Sequence, residues 1–135
     1  MNAVLVDSNV LLDVITQDHE WSDWSTSALR EAADSAPLVI NPIIYAETSV
    51  RFSRIETLEA ALSQTDLRRE AIPFEAAFLA GKAFVTYRRR GGIRRSPLPD
   101  FFIGAHAAVR DYRLLTRDGA RYRDYFPKLE LVAPD

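Results

Sequence analysis

The sequence predicts an α/β domain, a three-layer α/β/α arrangement with a central parallel sheet of four to five strands. Two observations carry that expectation. The runs "AVLV" at 3–6 and "PLVI" at 37–40 are apolar throughout, as strands buried on both faces are, whereas half-exposed strands alternate. Amphipathic stretches of helical period separate such runs, and strands alternating with helices build a parallel sheet with helices on both faces. The 135 residues suit one domain over 1–135, long enough to bury roughly two thirds of the surface its unfolded chain exposes.

The elements follow in order. After the strand at 3–6, Ser8 is expected to cap a helix whose Val10, Leu11, Val14 and Ile15 share one side. A second helix covers about 21–34, with Trp21, Trp24, Ala28, Leu29 and Ala32 at helical spacing. Pro42 suits the first position of "PIIYAETSVRF", because proline lacks only an N–H that a helix start leaves unpaired anyway. Ser53 and Glu56 resemble a capping box for "RIETLEAALSQT". "EAIP" at 70–73 reads as a short strand, and "FEAAFLAGKAFVTYRRR" as a helix ended by Gly91 and Gly92. The loop "GGIRRSPLP" leads into the helix "DFFIGAHAAVRD", the strand in "RLLTRD", a short helix or turn in "GARYRDYF" and a closing strand in "LELVAP".

Charge is unevenly spread. Net charge is −2, yet residues 1–50 hold eight acids and one base, whereas 76–99 hold six bases and no acid. Such polarisation points to a polyanionic partner, although an isolated basic run is more often a solvated face. There are no cysteines, so disulfides and thiolate metal sites are excluded. No signal peptide or apolar span of about 20 residues is evident, and a cytoplasmic protein with no membrane role is expected.

Ligands of an open parallel sheet bind outside the carboxyl ends of its strands. Asp7 directly follows the first strand, Asp118 lies just past "LLT", Glu47 falls in the first turns after "PLVIN", and Asp100 opens a helix after Pro99. Each has a bland alternative: Asp100 as a helix cap, Asp118 in an "RDG" turn, Glu47 as a solvated helix residue. Asp7 is hardest to dismiss, since an acid ending a buried strand costs desolvation unless partnered. Two carboxylates about 4 Å apart repel by roughly 4 kcal/mol at an effective dielectric of about 20. Four converging acids therefore call for a cation, and all-oxygen ligands favour a hard one such as Mg²⁺ or Mn²⁺. Ions so held suit phosphodiester chemistry. Arg88, Arg89, Arg90, Arg94 and Arg95, in the segment just before Asp100, are the groups expected to grip flanking phosphates.

The blocks "VLVDSNVLLD", "YAET", "PDFFIGAHAAV" and "LLTRDGARYRDYFPKLELVAP", in this order and spacing, resemble the PIN-domain nucleases, and within them the VapC-type toxin ribonucleases of bacterial toxin–antitoxin pairs. The resemblance covers nearly the whole chain. It implies a PIN-like (Rossmann-like) sheet and Mg²⁺- or Mn²⁺-dependent endonucleolytic cleavage of RNA. By position, Asp7, Glu47, Asp100 and Asp118 match the four acids of that family. Asp7, Asp100 and Asp118 would bind metal directly or through water, and Glu47 would complete the site and help position or deprotonate the attacking water. Asn9 and Thr116 match supporting polar positions. The resemblance further implies a homodimer and a VapB-type antitoxin whose tail blocks the groove. Some members carry further acids after the fourth; Gly119, Ala120 and Arg121 stand there in this chain.

Other residues receive structural readings. Asp13 is expected on a helix surface or at a partner contact. His19 and His106 lack ligand-spaced partners. Trp21 and Trp24 suit a core or dimer interface, and Tyr45 and Phe52 a core, an interface or an antitoxin groove. Two rivals remain. A phosphatase or phosphotransfer domain would want a second Asp where Asn9 stands, or a Lys after a late strand. A non-enzymatic RNA-binding module would carry a degenerate acid set.

Overall fold

The apolar runs form strands because their side chains have no polar face to turn to water. The computed structural model describes residues 2–134. Among them the order is β1 (Val4–Val6), α1 (Ser8–Ile15), α2 (Ser22–Ser35), β2 (Leu38–Ile40), α3 (Pro42–Ser49), α4 (Ile55–Leu62), β3 (Leu67–Arg69), α5 (Phe74–Arg89), α6 (Pro99–Arg110), β4 (Arg113–Leu115), α7 (Ala120–Tyr125) and β5 (Leu131–Val132). The five strands make one sheet in the order β3-β2-β1-β4-β5, parallel throughout. β1 lies at its centre, with Val4, Leu5 and Val6 fully buried. Burying each such side chain contributes about 1.5–3 kcal/mol.

Parallel strands need right-handed crossovers. The β1–β2–β3 connections run one way along the sheet and the β3–β4–β5 connections run back the other way. Right-handedness then places α1–α4 on one face and α5–α7 on the other. Packing agrees: α1 packs on α2 and α3, and α6 on α5 and α7. The three-layer arrangement expected from the sequence is therefore the one observed. No helix among the described residues is long and apolar enough to cross a membrane.

Four local expectations are corrected. The third strand is Leu67–Arg69, not 70–73; beyond it only the Glu70 N–H continues the ladder, to the Ile40 carbonyl at 3.0 Å. β3 is an edge strand, where charged Arg68 and Arg69 are tolerated because one side faces solvent; Pro73, with no N–H, caps α5 instead. The capping box at Ser53 does not form. α4 starts with Arg54 at the N-cap, which puts Glu56 one position too early, and Glu56 pairs with Arg54 at 3.1 Å. The N-cap of α1 is Asp7, whose carboxylate accepts the Ser8 N–H. Asp13 is not a surface residue: it is buried and paired with Arg117 at 2.9 Å.

Gly104 sets the closeness of α6 and α7. A Cβ there would lie 2.5 Å from the Phe126 ring and 3.1 Å from Tyr122. Both rings are buried and have nowhere to retreat. Gly104→Ala is expected to cost about 1–3 kcal/mol, read as a lower urea midpoint with an unchanged m-value.

Candidate active site

The strand order reverses between β1 and β4, and the crevice at such a reversal is where α/β sheets bind ligands. Asp7 leaves β1 there and Thr116 leaves β4. The Asp7 N–H still bonds the Leu115 carbonyl at 2.9 Å, so the sheet itself positions this acid. Its side chain is 4% exposed. Oδ1 accepts the Ser8 N–H at 2.8 Å. Oδ2 accepts the Thr116 hydroxyl at 2.9 Å and the Tyr122 hydroxyl at 2.9 Å. Burial raises the pKa of Asp7, and these donors and Asp100 nearby act as smaller, partly opposing influences.

The Tyr122 hydroxyl also reaches Asp100 Oδ1 at 3.3 Å. One phenol thus links the acid from β1 to the acid from α6. Burial places the Tyr122 hydroxyl far above the ordinary phenol range, and the negative charges of Asp7 and Asp100 add to this, so it serves as a donor. Asp100 Oδ2 faces Arg121 Nη1 at 3.4 Å. Burial raises Asp100 against the lowering effect of Arg121, and Asp118 adds repulsion. Glu47 sits half-buried on α3, where Oε1 accepts the Ser8 hydroxyl at 3.0 Å. Its pKa is raised by burial, with Asp7 and Asp100 adding to it against the Ser8 hydrogen bond. Asp118 is exposed at the edge of the group.

A clasp holds the loop after β4. Asn9 Nδ2 donates to Thr116 Oγ1 at 3.2 Å and its Oδ1 accepts the Arg117 N–H at 3.0 Å. The Arg117 guanidinium makes two 2.9 Å bonds to Asp13 and lies over the Trp21 ring. Asp13 also accepts the Ser25 hydroxyl at 2.6 Å, which joins α1, α2 and the β4–α7 loop. Removing Arg117 would leave the buried Asp13 carboxylate with the Ser25 hydroxyl in place of a charged partner.

A second polar chain crosses the top of the sheet. Asn41 caps α3 through Oδ1 and the Ile44 N–H at 2.9 Å. Its amide nitrogen is then free only to donate, to His106 Nδ1 at 3.0 Å. That leaves His106 Nε2 as the donor to Glu70 at 2.9 Å, and Glu70 accepts the Tyr112 hydroxyl at 2.8 Å. The structural role expected of His106 is the one it has.

An open cleft of about 790 Å³ is lined by Asp100, Asp118, Tyr87, Tyr125, Arg121 and Arg123, among others. The five expected arginines are placed differently. Arg90 pairs with Asp124 at 3.2 Å and covers the Tyr125 ring, at the rim of the cleft. Arg88 donates to the Arg94 carbonyl at 2.8 Å, and neither Arg88, Arg89, Arg94 nor Arg95 lines the cleft. Sequence reasoning overlooked Tyr122, Arg121 and the Ser8 hydroxyl. The available signal was Tyr122 itself: it shares a helix face with Phe126 at i, i+4, and a core-facing phenol needs a polar partner.

The donor set fits a hard divalent cation, since it consists of carboxylate oxygens whose charges burial and mutual repulsion leave poorly compensated. Among the described residues, no three His, Cys, Asp or Glu side chains already stand close enough together to hold a metal ion. Tyr122 and Arg121 occupy the oxygens that would have to turn. A carboxyl whose folded pKa is raised binds its proton more tightly in the native state than in the unfolded one. The associated stability is full below the unfolded pKa and is lost as pH rises through the folded value. Asp7→Asn is therefore expected to raise the melting temperature of metal-free protein at pH 7.5. The gap should narrow as pH falls and the wild-type carboxyl protonates. Thermal melts from pH 4 to 8 in EDTA check this, and a variant melting below wild type throughout would contradict it.

The sequence matches the family model described as PIN domain over residues 4–125. No curated protein matches the chain. Among solved structures, VapBC2 from Rickettsia felis bound to a DNA fragment from its promoter is similar at TM-score 0.74 and 19% identity, covering 98% of this chain and 99% of that one. VapBC-1 from nontypeable Haemophilus influenzae is similar at TM-score 0.72 and 16% identity, covering 97% of each chain. VapC20 of Mycobacterium tuberculosis, a sarcin-ricin loop cleaving toxin, is similar at TM-score 0.60 and 16% identity, covering 90% of this chain and 95% of that one. At these identities the structures speak for the fold, and the family model, spanning most of the sequence, speaks for descent: the chain belongs to the PIN domain family.

Proposed function

We propose that this protein is a divalent-metal-dependent endoribonuclease and the toxin of a VapBC-type toxin–antitoxin pair, acting in the cytoplasm as one domain. The observation that carries the reading is Asp7. It is buried at the strand-order reversal, tied to Thr116 and Tyr122, and within reach of the charges of Asp100 and Glu47. Family membership supports the same reading. So does the fold likeness to VapC20, a sarcin-ricin loop cleaving toxin, to the VapBC structures and to a toxin–antitoxin complex from Klebsiella pneumoniae. A VapB-type antitoxin is the proposed partner, and a homodimer the proposed assembly.

In this reading Asp7, Asp100 and Asp118 hold Mg²⁺ or Mn²⁺, and Glu47 completes the set. When bound, such an ion supplies Lewis-acid stabilisation of charge on the phosphate oxygens. The chain's own groups do the rest. Thr116 and Asn9 orient Asp7 and the β4–α7 loop by hydrogen bonds. Glu47, with its pKa raised by burial, suits a general base, because a base works best near the operating pH. The Ser8 hydroxyl leaves one Glu47 oxygen free to take a proton from water. Arg121 and Arg123 line the cleft where a strand would lie, and Arg90 at its rim extends the positive surface toward Arg88, Arg89, Arg94 and Arg95.

Asp7→Asn and Asp100→Asn should each reduce RNA cleavage by purified protein to background while RNA binding persists. EDTA should do the same to wild type, with Mg²⁺ or Mn²⁺ restoring activity. Full cleavage by Asp7→Asn, or by wild type in EDTA, would contradict the mechanism. Binding without cleavage across Mg²⁺ and Mn²⁺ titrations would instead favour an RNA-binding module. A gel-based assay on labelled total RNA reads all three.

A further inference from the structure

We propose that Arg121 supplies the second positive charge of this site, so that the acids take one divalent ion per chain and the guanidinium takes a phosphate of the bound strand. The proposal rests on the metal-dependent nuclease reading above. Its basis is how Asp100 divides its two oxygens. Oδ1 faces the Tyr122 hydroxyl at 3.3 Å, toward Asp7. Oδ2 faces Arg121 Nη1 at 3.4 Å, toward the cleft. The two residues are neighbours on α7, so the helix delivers a neutral donor and a permanent cation to opposite sides of one carboxylate.

Arg121 also has donors to spare. Arg117 is committed to Asp13 by two bonds, and Arg90 to Asp124. Arg121 makes one long contact, its side chain is 46% exposed, and a guanidinium carries five N–H donors. The remaining donors can meet a phosphate in the fork geometry that arginine favours. Arg123, from the same helix, lines the same cleft.

Two-metal phosphodiester sites place their ions about 3.5–4 Å apart with carboxylates shared between them. A guanidinium nitrogen 3.4 Å from Asp100 Oδ2 stands in the space that a second ion sharing this carboxylate would need. Being fixed in charge at any working pH, it repels that ion. Arg121 is then both the reason for a single ion and the group that meets the charge a second ion would otherwise meet.

Mn²⁺ titration of metal-free protein, followed by the EPR signal of free Mn²⁺, tests the first half. Wild type and Arg121→Lys should bind one ion per chain, and Arg121→Glu a second. Two ions in wild type, or one in Arg121→Glu, would overturn the proposal and leave metal-dependent cleavage standing. No bound ion in wild type would overturn both. The second half is read without metal, from binding of a 2′-O-methyl RNA in EDTA at several salt concentrations. Arg121→Ala should lower the slope of log K against log salt by about 0.7, the share of one phosphate contact on a single strand. An unchanged slope in a variant that melts like wild type would overturn the phosphate role.

Discussion

Asp7 is the constraint around which the site is arranged. A carboxylate at the end of a central parallel strand lies among β1, β4, α1 and α7, and it must be satisfied by whatever those elements present. Three of them present a donor: the Ser8 N–H from α1, the Thr116 hydroxyl from the end of β4 and the Tyr122 hydroxyl from α7. Left unpaired, such a group would cost several kcal/mol of lost hydration. With three donors it becomes a tie between layers, and the packing of α7 on α6 at Gly104 keeps Tyr122 within reach of it. Core packing and site geometry are here the same set of contacts.

Much of this was legible in the sequence because it rests on periodicity and on position along a strand. The buried runs at 3–6 and 37–40 became β1 and β2, proline opened α3, and the four acids emerged near the carboxyl edge. The misses share one cause. β3, the cap at Arg54 and the burial of Asp13 depend on what lies across from a residue in space, which no local pattern encodes. Asp13 is six residues from Asp7 and looks like any helix acid until Arg117, more than a hundred positions later, arrives over it. Tyr122 read as part of a short helix because nothing local says that its face meets two acids. The basic segment stands beside the cleft and reaches its rim through Arg90, whereas the arginines lining the cleft are two separate residues of α7.

The acids are not gathered into a closed cage, and the physical reason is visible in their partners. Carboxylates with burial-raised pKa values settle onto hydroxyl and guanidinium donors. Tyr122 and Arg121 hold Asp100 from both sides, and Ser8 holds Glu47. These partners align the acids and fix where Asp100 and Glu47 stand. Asn9 contributes from the loop side, where its amide spans Thr116 and Arg117. An aspartate there would lose the amide donor to Thr116 and add a fifth negative charge.

The chain of polar groups from Ile44 through Asn41 and His106 to Glu70 and Tyr112 has a mechanical meaning. It runs from α3, which carries Glu47, to α6, which carries Asp100, and those helices belong to opposite layers of the sandwich. Apolar contacts resist compression but let helices slide past one another. Directional bonds with a fixed donor and acceptor at every link resist sliding as well. The strut therefore acts as a spacer gauge: it sets how far apart two acids from different layers can stand, without touching either of them.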